Sequence, residues 1–294
     1  MENLFNMDET PIMFEMVGKT TIAKIGERNI NIRTFGSERS RISVILCISA
    51  SGSKLPPLLI FKGKKGGYIE DELKKNPNVK AQKIHVLCQE NSWADSDIFN
   101  YWITNIFFNN RYVKNSFEKI LILDRATTHY DRKLIDIFKQ HKSYFLLIPP
   151  GLTRFIQPLD VGINGPFKKA MHHWDLDFRI KNLNNKKPTR DDIINAVVNI
   201  WYNDDLISRK NIISSFKCTG ISVKLDGTEQ NLIKKYDEVC DEIILPSDVI
   251  LNDDFITEAE NIYKDLEEKK IKVKDGNNKI TNYFKIENDV MDIE

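Results

Sequence analysis

Three aspartates in this 294-residue chain occupy comparable points of the sequence pattern. Asp8 sits in an apolar segment around Leu4, Phe5 and Met7, Asp124 ends the run KILILD, and Asp160 opens a helical stretch. Singly each is ordinary, because Asp commonly ends strands and caps helices. Together they make a chemical argument. In open α/β sheets, sites form beyond the carboxyl ends of strands, and two strand-borne acids and one helix-start acid can meet there. Three clustered carboxylates repel one another unless cations neutralise them, so their convergence implies metal. Oxygen donors without a Cys or His cluster favour Mg²⁺ or Mn²⁺ over zinc. Two such ions roughly 3.5–4 Å apart stabilise the attacking and leaving oxygens of an in-line phosphoryl displacement. A phosphodiester substrate would also account for nearby basic residues.

The elements that must position these acids read as mixed α/β. Residues 3–13 form a first apolar segment, residues 41–49 (RISVILCIS) suit a buried strand, and LLIF at 58–61 suits the next. Three strands in quick succession predict an antiparallel meander, followed by the basic loop KGKKGG at 62–67. Ile98, Phe99, Trp102, Ile103, Ile106 and Phe107 fall on one helical face that starts near Ser96 or Asp97. KILILD, a short helix over 134–138, and YFLLI at 144–148 predict a parallel strand–helix–strand crossover. From Asp160, read as a helix cap, the pattern turns helical through Phe167 and Trp174, with Gly162 and Gly165 weakening the first turns. Thr189 with Asp192 resembles a capping box for a helix ending at Trp201. Further helices are expected over 209–216, 229–239 and 255–270.

Composition narrows the class. With 41% apolar and 29% charged residues, the chain is read as soluble and globular; no window approaches a membrane span, and the opening MENLFNMDET lacks a signal-peptide layout. Cys47, Cys88, Cys218 and Cys240 form no CxxC pair, so neither a zinc knuckle nor a disulfide scaffold is expected. The net charge of +1 hides an asymmetry. Residues 154–190 hold eight basic and three acidic side chains, a balance of +5, whereas residues 251–294 hold seven basic and twelve acidic, a balance of −5. A polyanion-facing middle and a solvated acidic end are the reading.

The wording of these segments resembles a known family. LLIPPGLTRFIQPLDVGINGPFK at 146–168 resembles the last catalytic block of the pogo/Tigger group of mariner-like DDE transposases. KILILDRATTH resembles the block with the second catalytic aspartate, FNMDET the block with the first, and SFKCTGIS at 215–222 a downstream element. The 36 positions from Asp124 to Asp160 fit the compact spacing of that superfamily, and its third acid in this branch is commonly Asp. The resemblance covers residues 3–222 and is most specific in QPLD.

It implies an RNase H-like core, a mixed five-stranded sheet flanked by helices, with a helical C-terminal extension. It also implies a nuclear, metal-dependent DNA endonuclease and strand-transfer activity using Mg²⁺ or Mn²⁺. Asp8, Asp124 and Asp160 would be the catalytic and metal-holding residues. The expected divisions are a catalytic domain at 1–222, a helical extension at 223–274 and a disordered acidic tail at 275–294. Asp8 lies close to the first residue, leaving no room for the helix-turn-helix domains of such transposases, so a fragment, a truncated copy or a gene that lost its DNA reader is expected. A domesticated or decayed derivative that binds nucleic acid or protein without cutting is the alternative.

Around the acids, Lys62, Lys64, Lys65, Arg125, Arg154, Lys168 and Lys169 are the candidate DNA contacts. Arg125 could equally face solvent, and the Lys62–Lys65 loop could equally be a solvated hairpin tip. His129, Gln157 and Asn164 are candidate supports for the acids, His172 and His173 fall on an exposed helix surface, and Trp174 and Trp201 are expected to fill the helical core. In the tail, NNKITNYF resembles a PCNA-interacting peptide, with Asn277, Ile280, Tyr283 and Phe284 at plug spacing. DNA, PCNA and a second copy of the chain are therefore the partners this reading allows.

Overall fold

A computed structural model describes residues 3–13, 41–109, 118–124, 132–149, 151–182 and 187–234. Among these residues six strands form one sheet: β1 (Leu4–Met13), β2 (Arg41–Ser49), β3 (Leu58–Lys62), β4 (His85–Gln89), β5 (Ile120–Asp124) and β6 (Tyr144–Ile148). Their spatial order is β4-β3-β2-β1-β5-β6. β1, β2 and β3 form the antiparallel meander read from the sequence. β5 runs parallel to both β1 and β6, and β4 runs parallel to β3. The sheet is mixed, and the run β3-β2-β1-β5-β6 has the order and directions of an RNase H-like core.

The sixth strand corrects the expected count of five. HVLCQ is short, and only Val86 and Cys88 are buried. Its edge position leaves His85, Leu87 and Gln89 half-exposed, so it lacks the apolar run that marks a central strand. Between β3 and β4 lie α1 (Tyr68–Leu73) and α2 (Pro77–Lys80). The basic loop is thus the start of a parallel crossover and not a hairpin tip.

Side-chain alternation along the strands divides the interior into two cores. On one face Phe5, Met7, Ile45, Cys47, Leu121 and Leu123 pack against α3 (Ser96–Trp102), the π turn Ile103–Phe107 that continues it, and α4 (Arg132–Gln140). α3 starts at Ser96, as the pattern predicts, and Asp95 caps it by accepting from Ile98 N. The π turn inserts one residue and keeps Ile103, Ile106 and Phe107 inward. The opposite face, with Ile12, Ile42, Val44, Leu46 and Leu59, is covered by helices from the second half of the chain. These are α5 (Thr153–Ile156), a π turn at Leu159–Ile163 running directly into α6 (Asn164–Lys181), then α7 (Arg190–Trp201) and α8 (Arg209–Cys218).

The capping box of Thr189 and Asp192 is present at α7. Trp201 is fully buried and donates its indole N–H to Leu55 O at 2.9 Å, while Trp174 packs partly buried on the same core. Where a helix is expected over 229–239, the described part holds only a 3-10 turn at Gln230–Leu232. No helix among the described residues is long and apolar enough to cross a membrane. The expected divisions beyond residue 234, and the PCNA-like residues Asn277, Ile280, Tyr283 and Phe284, lie outside the described residues, as do Arg125 and His129.

Candidate active site

β1 and β5 are in parallel register from Leu4↔Ile120 to Asn6↔Ile122. Asp8 and Asp124 each follow two residues later, so they hold equivalent positions on adjacent strands and share the face of Asn6 and Ile122. That is the face covered by α6 to α8, since Leu121 and Leu123 point into the other core. Asp8 lies within β1, tolerated there because its polar partners come from across the layer. Asp124 is the last residue of β5 and half-buried.

Asp160 comes from the covering layer. It is not a helix cap, as the sequence suggested, but the second residue of the π turn Leu159–Ile163. The turn is closed by Asn164 N donating to Leu159 O, a bond one residue longer than in an α-helix, and Asp160 is exposed at its rim. A carboxylate in the first turn of a helical segment also faces the positive end of the helix dipole.

Asn164 links two of the three acids. Its Nδ2 donates to Asp8 Oδ2 at 2.6 Å and to Asp160 Oδ1 at 2.9 Å. The side chain is buried, and its Oδ1 has no hydrogen-bond partner. Gln157, also fully buried, leaves both amide atoms without a partner at hydrogen-bonding distance, although its proximity still favours ionised Asp8 slightly.

Electrostatics bring the third acid in. Asp8 is pushed up to about 7, chiefly by burial; the Asp160 charge adds to the rise, the Asn164 hydrogen bond opposes it, and the Asp124 charge adds a smaller share. Asp8 therefore feels both other carboxylates. Among the described residues, the groups acting on it are two anions and two amides. Such a donor set suits a hard divalent ion in kind: three carboxylates converging from β1, β5 and the π turn, and unpartnered amide oxygens beside them. Among the described residues no three Asp, Glu, His or Cys side chains stand close enough to enclose an ion, and the Asn164 amide bridges Asp8 and Asp160.

The basic candidates divide into two groups. Lys168 and Lys169 are exposed on α6, two turns after Asp160, and His173 is exposed beside a half-buried His172. Arg154 is exposed on α5, its guanidinium 4.4 Å from the Phe155 ring. Lys62, Lys64 and Lys65 leave the carboxyl end of β3, the sheet end to which β5 brings Asp124. Lys65 is ion-paired with Asp97 at 2.7 Å.

Sequence reading missed one residue at this site. Asn6 is fully buried, two positions before Asp8 on the same face of β1. An amide set between apolar Phe5 and Met7, in phase with the acid, is the signal that could have revealed it.

Comparison with known proteins bears on this arrangement. The family model described as DDE superfamily endonuclease matches residues 39–216, more than half of the chain, a span that includes Asp124 and Asp160 and begins after Asp8. "Pogo transposable element with KRAB domain" of Homo sapiens is 26% identical over 228 residues, covering 75% of this chain and 36% of that protein; the Mus musculus protein matches equally. The chain thus spans about a third of the length of these curated relatives. Among solved structures, "Mos1 transposase paired-end complex with left transposon end" aligns with a TM-score of 0.46 at 12% identity, over 74% of this chain and 55% of that one.

Proposed function

The chain belongs to the DDE superfamily endonuclease family, and from that membership we propose that it is a transposase domain that cleaves DNA phosphodiester bonds and transfers the strand ends. The observation that carries the reading is the coupling at Asp8. Its carboxyl is held near neutrality by burial and by the charges of Asp160 and Asp124, and its oxygen shares one amide with Asp160.

Asp8, Asp124 and Asp160 would hold Mg²⁺ or Mn²⁺, which when bound supplies charge stabilisation to the attacking and leaving oxygens. The protein's own part is positioning and charge. Asp8 would serve as one of the holding oxygens in its carboxylate form, which a nearby cation favours. Asn164 orients Asp8 and Asp160 through one donor group. Lys168, Lys169 and Arg154, with the Lys62 to Lys65 loop, would fix the phosphate backbone and carry no sequence information. A chromosomal DNA substrate makes the nucleus the place of action.

With Mn²⁺ or Mg²⁺ and supercoiled plasmid, the purified protein should nick DNA with little sequence preference, and Asp124→Asn and Asp160→Ala should each abolish the nicking while retaining the wild-type fold. Nicking that persists in either folded variant would assign it to another site. A second reading has one observation in its favour: the amide bridge satisfies Asp8 and Asp160 without a cation. On that reading the domain binds nucleic acid or a protein without cutting, and the wild type would bind DNA while leaving plasmid intact.

A further inference from the structure

The three elements that carry the acids are joined by one side chain. Asn6 Nδ2 donates to Ile122 O in β5 at 3.0 Å, and Asn6 Oδ1 accepts from Leu159 N at the start of the π turn at 2.9 Å. Asn6 stands two residues before Asp8, Ile122 two before Asp124, and Leu159 one before Asp160. We propose that Asn6 is a positioning residue that sets the mutual register of the three carboxylates, a role that rests on the active-site reading above.

The physical case is specific. The β1–β5 ladder extends to Asn6↔Ile122, so past that pair the backbone ladder does not join the two strands where Asp8 and Asp124 sit. The Asn6 amide adds a side-chain tie at that last rung. Leu159 N is one of the first-turn N–H groups that have no intrahelical acceptor. It is buried in the interlayer, away from solvent, so a partner from another element has to supply the acceptor. Only a side chain offering both a donor and an acceptor about one amide apart can do both jobs, and Asn does. Asp at this position would offer no donor to Ile122 O and would place a fourth negative charge beside Asp8. Leu would orphan Leu159 N and remove the side-chain tie to Ile122 O, which keeps only its ladder bond.

Asn6 touches none of the reacting atoms, so its effect must appear as geometry at the acids and not as general loss of fold. The comparison variant is Ser143→Ala. Ser143 Oγ accepts from Lys119 N at 2.9 Å and donates to His141 O, a buried tie of similar kind between the amino ends of β5 and β6, at the opposite sheet end from Asp124.

The test uses the whole chain. Mn²⁺ affinity is measured by titration calorimetry, thermal midpoint by calorimetry, and amide hydrogen exchange at Leu159 by NMR, for wild type, Asn6→Ala, Asn6→Ser and Ser143→Ala. Asn6→Ala is expected to weaken Mn²⁺ binding by roughly 10-fold or more, as outer-sphere supports of metal sites do, and to unprotect Leu159. Asn6→Ser, which keeps one hydroxyl, should fall between and serves if the Ala variant does not fold. Ser143→Ala should lower the midpoint comparably with unchanged Mn²⁺ affinity. Equal Mn²⁺ affinity in wild type and folded Asn6 variants would overturn the proposal, as would equal loss in Ser143→Ala. If the wild type itself binds no Mn²⁺, the metal reading fails separately. The register claim is then decided at Leu159, where unchanged protection in the Asn6 variants would overturn it.

Discussion

At the scale of single residues, Asp8 is the candidate site carboxyl whose chemistry its surroundings clearly alter. A carboxyl held up at about 7 in the folded chain keeps a proton that the unfolded chain releases near 3.8. Its contribution to stability is therefore present below the unfolded value and is lost as pH rises towards 7, on the order of a few kcal/mol. His85 works in the opposite sense, because burial lowers it to about 4 and its contribution is gained as pH rises towards 6.5. The Asp8 share is read by difference. In chelator, denaturation between pH 5 and 8 should show wild type losing stability with pH relative to Asp8→Asn. The gap should close when Mn²⁺ is added to wild type, since the cation stabilises the ionised form. Parallel pH profiles for the two proteins would contradict this account of Asp8.

At the scale of elements, the π turn Leu159–Ile163 depends on its seat against α8. A Cβ placed on Gly162 would come within 2.7 Å of Ser215 Cβ, closer than packed carbons approach. Gly162→Ala should thus push the turn away from α8, costing about 1–3 kcal/mol by overpacking. It should also reduce nicking more than its melting shift explains, because Asp160 lies two residues away. Adding Ser215→Gly should restore nicking. A Gly162→Ala protein with wild-type melting and nicking would show that the seat does not position Asp160. This contact also gives a physical reason for the downstream element: SFKCTGIS starts at the residue that Gly162 packs on.

The sequence showed the central strands and the acids well, for identifiable reasons. RISVILCIS and the Leu121–Leu123 stretch of KILILD are buried on both faces, so apolar runs mark them, and Asp124 is conspicuous where such a run stops. HVLCQ was passed over because it is short and lies at the sheet edge, where only Val86 and Cys88 are buried. Asp160 was read as a cap because a π turn and an N-terminal cap look alike in one dimension; only the longer Asn164-to-Leu159 bond separates them. Asn164 was legible because it flanks Asp160 in the chain, whereas the Asn6 tie joins residues 116 and 153 positions apart and has no local pattern.

At the scale of the whole molecule, net charge says little and its placement says more. Lys168 and Lys169 lie exposed on the helix that begins beside Asp160, on a chain of net charge +1. If they bind phosphate, replacing both by Ala should weaken DNA binding about equally for all sequences. It should also reduce the slope of log affinity against log salt by roughly two, close to one per lost phosphate contact. An unchanged slope would move the DNA path elsewhere, with the Lys62 loop the next candidate.

The central claim is that Asp8, Asp124 and Asp160 form one cation site, and anomalous diffraction from crystals of the chain grown with Mn²⁺ tests it most directly. The account requires an anomalous peak with oxygens of Asp8 and at least one of the other two aspartates within roughly 2.5 Å, and with Asn164 Nδ2 no longer bridging Asp8 and Asp160. Well-ordered crystals in saturating Mn²⁺ with the amide bridge intact and no peak between these carboxylates would contradict it.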